Sequence, residues 1–154
     1  MSLVTISSIG ATQQKALDVL KSLAGKDLIN LQTGIKAQIN RNQRTKIISN
    51  KAIDKTKVNG FTANQHYAVA ESLEKAWQIA LITGNNPDNK GDKNISSIKR
   101  FEAQVSVDNE PAIAYITVKE TIEYGHRIYS LELQEIKKAY QKYNTLKAHY
   151  TDRQ

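Results

Sequence analysis

The 154-residue sequence predicts an α+β domain: N-terminal helices packed on an antiparallel sheet, with a helix at the C-terminus. Three observations carry this expectation. Apolar residues recur at helical spacing up to about residue 81, the period drops to two from about residue 97, and helical spacing returns after residue 134. Helices first, strands second and a helix last is the α+β order, not a series of βαβ units. The length suits one hydrophobic core, so residues 1–154 read as a single domain without internal repeats.

The first helix is read in "TQQKALDVLKSLAGK", where Ala16, Leu17, Leu20 and Leu23 or Ala24 share a face, Thr12 gives a start signal and Gly25 lies near the end. "LINLQTGIKAQINR" holds two short apolar alternations around Thr33 and Gly34, "IKAQI" being the clearer strand. "NQRTKIISNKAI" reads as a short helix with Arg44 and Lys46 on its polar side. A second long helix is expected from Thr62 to about Leu81. Val69 or Ala70, Leu73, Ala76 or Trp77 and Ala80 form its stripe, and Phe61 is placed as a staple before it. "TGNNPDNKGDKN" (83–94), rich in Gly, Asn, Asp and Pro, reads as an exposed loop. "SIKRFEAQVSV", "AIAYITVKETI" and "RIYSLEL" read as three consecutive antiparallel strands, turning at "DNEP" and "EYGH". The last helix is expected from Gln134 to about Tyr150, on Ile136, Ala139 or Tyr140, Tyr143 and Leu146 or Lys147.

The "EYGH" turn fixes a register. A four-residue loop between Ile122 and Arg127, or a two-residue loop at Tyr124–Gly125, pairs Thr121 with Ile128, Glu120 with Tyr129 and Lys119 with Ser130. Directly opposed side chains share a face, so Lys119 and Ser130 stand together. Ala112, Ala114, Ile116, Val118, Leu131 and Leu133 form the more apolar face, expected to meet the helices. Lys119 on the mixed face is either a ligand-contacting cation or a solvated residue that blunts an edge.

Twenty-two Lys and Arg against fifteen Asp and Glu give a formal charge of +7, which favours polyanionic partners. Basic residues concentrate between Lys36 and Lys57 and recur at Lys99, Arg100, Lys119 and Arg127; tyrosines, Tyr129 among them, lie in the C-terminal half. Cations beside tyrosines suit single-stranded RNA, whose phosphates attract the charges and whose bases stack, so Arg44, Arg127 and Tyr129 are candidate substrate contacts. The absence of cysteine excludes disulfides, thiolate metal sites and cysteine nucleophiles. No HExxH, EF-hand, GxxxxGK[ST] or GxGxxG spacing occurs, so neither metal nor cofactor is expected. No segment has the length of a signal peptide's apolar run or of a membrane span, giving the expectation of a soluble cytoplasmic protein with no membrane partner; delivery as an effector is left open.

His66, at the start of the second long helix, is either a packed helix-end residue or a group held over a binding surface. The positive end of the helix dipole disfavours its protonation and so keeps it able to accept a proton. His126 and His149 are weaker candidates.

The combination "INRNQRTKIIS…TKVNGFTANQHYAVAESLEKAW", followed by "RFEAQVSVDNEPAIAYITVKET…GHRIYSLELQEI", resembles the phage-type nucleases of the Barnase–EndoU–colicin–RelE (BECR) superfamily over roughly residues 34–138. The resemblance implies a small α+β fold and metal-independent RNA cleavage, in a toxin or mobile-element setting, with tRNA among the RNAs cut and an antitoxin or immunity protein as partner. It implies functional positions at Lys46, His66, Lys119 and Ser130, and a weaker one at Thr56. Attack of a ribose 2′-OH on its own phosphate needs a base, cationic stabilisation of the phosphorane and an acid at the leaving oxygen, but no protein nucleophile. In this expectation His66 is the base or acid, Lys46 and Lys119 stabilise the phosphate and Ser130 donates a hydrogen bond, leaving a 2′,3′-cyclic phosphate. The alternative is a catalytically inactive RNA- or protein-binding module of a phage or plasmid system. The oligomeric state is left open.

Overall fold

A computed structural model describes residues 3–87 and 95–139. After a short strand β1 (Val4–Ile6), the side chain of Thr12 accepts from Lys15 N–H and starts α1 (Gln13–Ser22), which buries Ala16 and Leu20. Two-residue strands β2 (Leu28–Ile29) and β3 (Lys36–Ala37) form a small antiparallel ribbon. The basic segment then makes two helices, α2 (Arg41–Ile47) and α3 (Asn50–Val58), separated by Ser49, whose side chain caps α3 at Ala52 N–H.

The expected second long helix starts as read. Thr62 accepts from Gln65 N–H while the Gln65 side chain accepts from Thr62 N–H, a reciprocal capping box. It is two helices, α4 (Ala63–Glu71) and α5 (Leu73–Ile79), because Ser72 has φ −100° and ψ 15° and its N–H turns to Val69 O, three residues back. Trp77 of α5 is fully buried, edge-on to Phe101 at 4.7 Å between ring centres, and its indole N–H donates to Leu28 O.

Five strands form the main sheet in the order β1-β5-β6-β7, with β4 (Leu81–Pro87) antiparallel to the start of β5 (Ile95–Val107) and β1 parallel to its end. β6 (Glu110–Glu123) and β7 (His126–Lys138) complete an antiparallel meander through two-residue turns. Asp108 and Asn109 both have positive φ, as do Tyr124 and Gly125, the backbone that tight hairpins with right-handed twist require. Lys119 faces Ser130, Glu120 faces Tyr129 and Thr121 faces Ile128. The apolar face, Ala112 through Leu133, is buried as expected.

Besides the two split helices, two further expectations are corrected. The C-terminal helix does not begin at Gln134: Gln134–Lys138 belong to β7, and residues 140–150 of that expectation lie outside the described ones. A bulge carries the strand on past Leu133. The β6–β7 register shifts between Tyr115 and Ile116, so Gln134 is an extra residue and the buried positions run Leu131, Leu133, Ile136. The three-residue step imitates a helical period. The continued strand pairs Ala112–Tyr115 of β6, whose backbone groups on the side away from β5 would otherwise lie unpaired. The second correction is the loop at 83–94: Thr83–Pro87 lie in β4, whose Gly and Asn residues pair at the sheet edge through a register shift and whose proline comes last, while residues 88–94 lie outside the described ones.

Candidate functional site

Alternation along β6 and β7 places Thr117, Lys119, Ser130 and Glu132 on the face away from the apolar core, with Thr117 paired to Glu132 and Lys119 to Ser130. α2 and α3 lie along β7, and Lys46, in the last turn of α2, reaches the same place. Glu132 is the centre of the cluster. Its side chain is 4% exposed, and its Oε1 lies 3.3 Å from Lys46 Nζ and 3.8 Å from Lys119 Nζ. Oε1 meets no donor in hydrogen-bond geometry, so both lysines reach it as ion pairs; Oε2 accepts from Gln134 Nε2, which also donates to Thr117 Oγ1. The bulge residue thus orients the carboxylate.

Two ammonium groups around one carboxylate do not titrate alike. The neighbouring Lys46 is the main reason Lys119 lies below the usual lysine range; burial adds to the fall and Glu132 opposes it. Lys46 is raised, first by the neighbouring Lys119 and then by Glu132, against the effect of burial. The pair therefore offers one amine that gives up its proton more readily and one that holds it.

Two grooves, of about 430 and 560 Å³, share Lys46, Lys119 and Glu132 as a common wall. Ser130 lines the second groove. Three of the four expected catalytic positions, Lys46, Lys119 and Ser130, thus come together.

His66 lies elsewhere. It is fully buried, with Nε2 2.8 Å from Ile47 O and Nδ1 2.8 Å from Thr56 Oγ1, and it lines neither groove. A carbonyl can only accept, so Nε2 carries the proton. Burial lowers the pKa of His66 and keeps the ring neutral, although the bond to Ile47 pulls the other way. Neutral Nδ1 then accepts from the Thr56 hydroxyl, whose oxygen also accepts from Ile136 N–H. His66 thus links α2, α3 and α4, and through Thr56 it links them to β7. Ile47 follows Lys46, so this network positions the helix end that presents the lysine.

The expected substrate contacts do not gather at the grooves. Thr56 is buried in the histidine network. Arg44 lines a separate groove with Lys21 and Arg41 between α1 and α2. Arg127 lies 3.7 Å from Glu120, on the face opposite Lys119, and Tyr129 on that face packs against the core. Sequence reasoning missed Glu132. Its signal was available, since a residue two beyond Ser130 in a strand must share its face, which sets a carboxylate beside the expected Lys119–Ser130 pair.

The family model of the large polyvalent protein-associated domain 3 matches residues 7–129. The chain belongs to that family. The match takes in Lys46, His66 and Lys119 and ends just before Ser130 and Glu132. No curated protein and no solved structure matches the chain. Among the described residues of this family member, no helix is long and apolar enough to cross a membrane.

Proposed function

We propose that this member of the domain 3 family is a metal-independent endoribonuclease that cuts single-stranded RNA by attack of a 2′-OH on the adjacent phosphate. The observation that carries the reading is the Lys46–Glu132–Lys119 cluster, with Ser130 beside Lys119, opening on two grooves. Lys119, whose proton is the more easily lost, takes the 2′-OH proton. As the new P–O2′ bond forms and the P–O5′ bond breaks, Lys46 delivers a proton to the leaving 5′-oxygen, and Ser130 donates to a phosphate oxygen. Glu132 holds both amines in place. The products are a 2′,3′-cyclic phosphate and a free 5′-hydroxyl. The setting as a toxin or mobile-element effector, with tRNA among its targets and an antitoxin or immunity partner, rests on the BECR resemblance.

Incubating end-labelled RNA with the protein in EDTA tests the reading. Cyclic-phosphate ends are expected, RNA methylated at every 2′-oxygen should resist, and Lys119→Ala should slow cutting by about 10²–10⁴-fold, the range of general base catalysis. The burial of His66 favours a second reading, in which the domain binds RNA and does not cut it. Salt-sensitive retention of RNA with no product in any condition would establish that reading in place of the first.

A further inference from the structure

The two grooves beside the lysine cluster differ in charge. Apart from the shared Lys46, Lys119 and Glu132, the smaller is lined by Lys51, Lys55 and Arg100 and by no acidic residue. All three cations are exposed, and none forms an ion pair among the described residues. The larger groove carries one further cation, Arg41, offset by Glu123, and its remaining wall is largely amide and hydroxyl groups. Gln38 Nε2 donates to Asp27 and Gln43 Oε1 accepts from Asn40 N–H, so these amides are held in place. Asn42, exposed at the start of α2, makes no side-chain hydrogen bond among the described residues.

Building on the RNA reading above, we infer that one single-stranded RNA segment crosses the cluster, its two flanks read differently. The Lys51–Lys55–Arg100 groove tracks phosphates without regard to sequence, and the Asn42–Ser130 groove reads a base edge. Three uncompensated cations on one wall have the chemistry of a polyanion track, in which affinity comes from counterion release and carries no sequence information. An amide presents a donor and an acceptor side by side, the pattern that pairs with an unstacked base, and beyond the shared cluster this groove has no net charge to favour a phosphate over it. Sequence preference therefore resides on the Asn42 side.

Binding of short RNAs of several sequences, methylated at every 2′-oxygen so that none can be cut, separates the two roles across a salt series. The triple variant Lys51→Ala, Lys55→Ala, Arg100→Ala is expected to weaken binding of all sequences alike. It should flatten the plot of log affinity against log salt by about 2, at roughly 0.7 per lost single-strand phosphate contact. Asn42→Ala is expected to leave that slope unchanged and to alter the ranking of sequences. All four side chains are exposed, and thermal melts matched to wild type are the check that each variant is folded. A triple variant with the wild-type slope, or an Asn42→Ala protein with the wild-type ranking, overturns the inference. Cleavage of unmodified RNA is scored separately: cutting with an unaltered slope leaves the nuclease reading standing and this one fallen, while the expected binding pattern without cutting does the reverse.

Discussion

Nδ1 of His66 and Oγ1 of Thr56 lie 2.8 Å apart in the interior, and through this contact and the bond from Nε2 to Ile47 O the imidazole joins three helices and β7. The histidine that helical spacing brings to notice is a cross-brace under the site. It acts on the lysine cluster by holding the end of α2.

Replacing His66 should therefore cost stability. His66→Ala leaves a cavity, an unmet carbonyl at Ile47 and a hydroxyl without its acceptor, and is expected to lower the unfolding free energy by roughly 3 kcal/mol. Urea denaturation measures this, and His66→Gln, which can restore one of the bonds, should recover part of the loss. A His66→Ala protein as stable as wild type would mean that the brace carries no weight.

The same residue sets a pH dependence. Its folded pKa lies below the ordinary 6.5, because burial penalises the charged ring. As the pH falls through 6.5, the unfolded chain takes up a proton at His66 that the folded one does not, so stability present at neutral pH is lost on acidification below 6.5 toward the folded value. The unfolding free energy should rise with pH across that window in the wild type. The rise should be smaller in His66→Gln; equal slopes in both proteins would place the linkage elsewhere.

Lys46 and Lys119 share one buried carboxylate, so each can compensate when the other is lost. Single alanine variants should be mildly destabilised, because the retained lysine still faces Glu132. The double variant strands the carboxylate, and the cycle should show extra destabilisation of about 0.5–3 kcal/mol beyond the sum of the singles. In the same series, NMR titration of the lysine ε-groups should find the Lys119 pKa moving up toward 10.5 in Lys46→Gln, since Lys46 is the largest cause of its depression. An unmoved Lys119 contradicts the division of acid and base between the two.

Tyr124 holds φ +50° at the tip of the β6–β7 turn with its side chain fully exposed. Left-handed backbone is unfavourable for tyrosine and readily adopted by asparagine, which also precedes glycine in the favoured two-residue turn. Tyr124→Asn should stabilise the protein by roughly 0.5–1 kcal/mol, seen as a higher denaturation midpoint at unchanged slope. A loss of stability would show that the tyrosine has a packing role that its exposure denies.

Local chemistry made much of this legible in the chain. Thr12 and Thr62 start helices because their hydroxyls can cap free N–H groups, and the spacing of "EYGH" allows one register, which brings Lys119 opposite Ser130. Period-two alternation likewise separated the buried face of β6 from the face that bears the site. Where a residue's role depends on its own neighbours in sequence, the sequence was sufficient.

Three things were decided only in the folded molecule, each because a distant segment supplied the missing partner. Gln134–Lys138 are a strand because β6 offers unpaired backbone there, although the bulge at Gln134 gives the apolar residues a helix-like step. His66 is internal because Ile47 and Thr56, nineteen and ten residues away, take both ring nitrogens. Glu132 draws Lys46 and Lys119 together from separate elements, since a nearly buried carboxylate must gather countercharge from whatever packs over it. The sequence determined which side chains could share a face; only tertiary packing determined which of them meet a partner and which are left open to bind one.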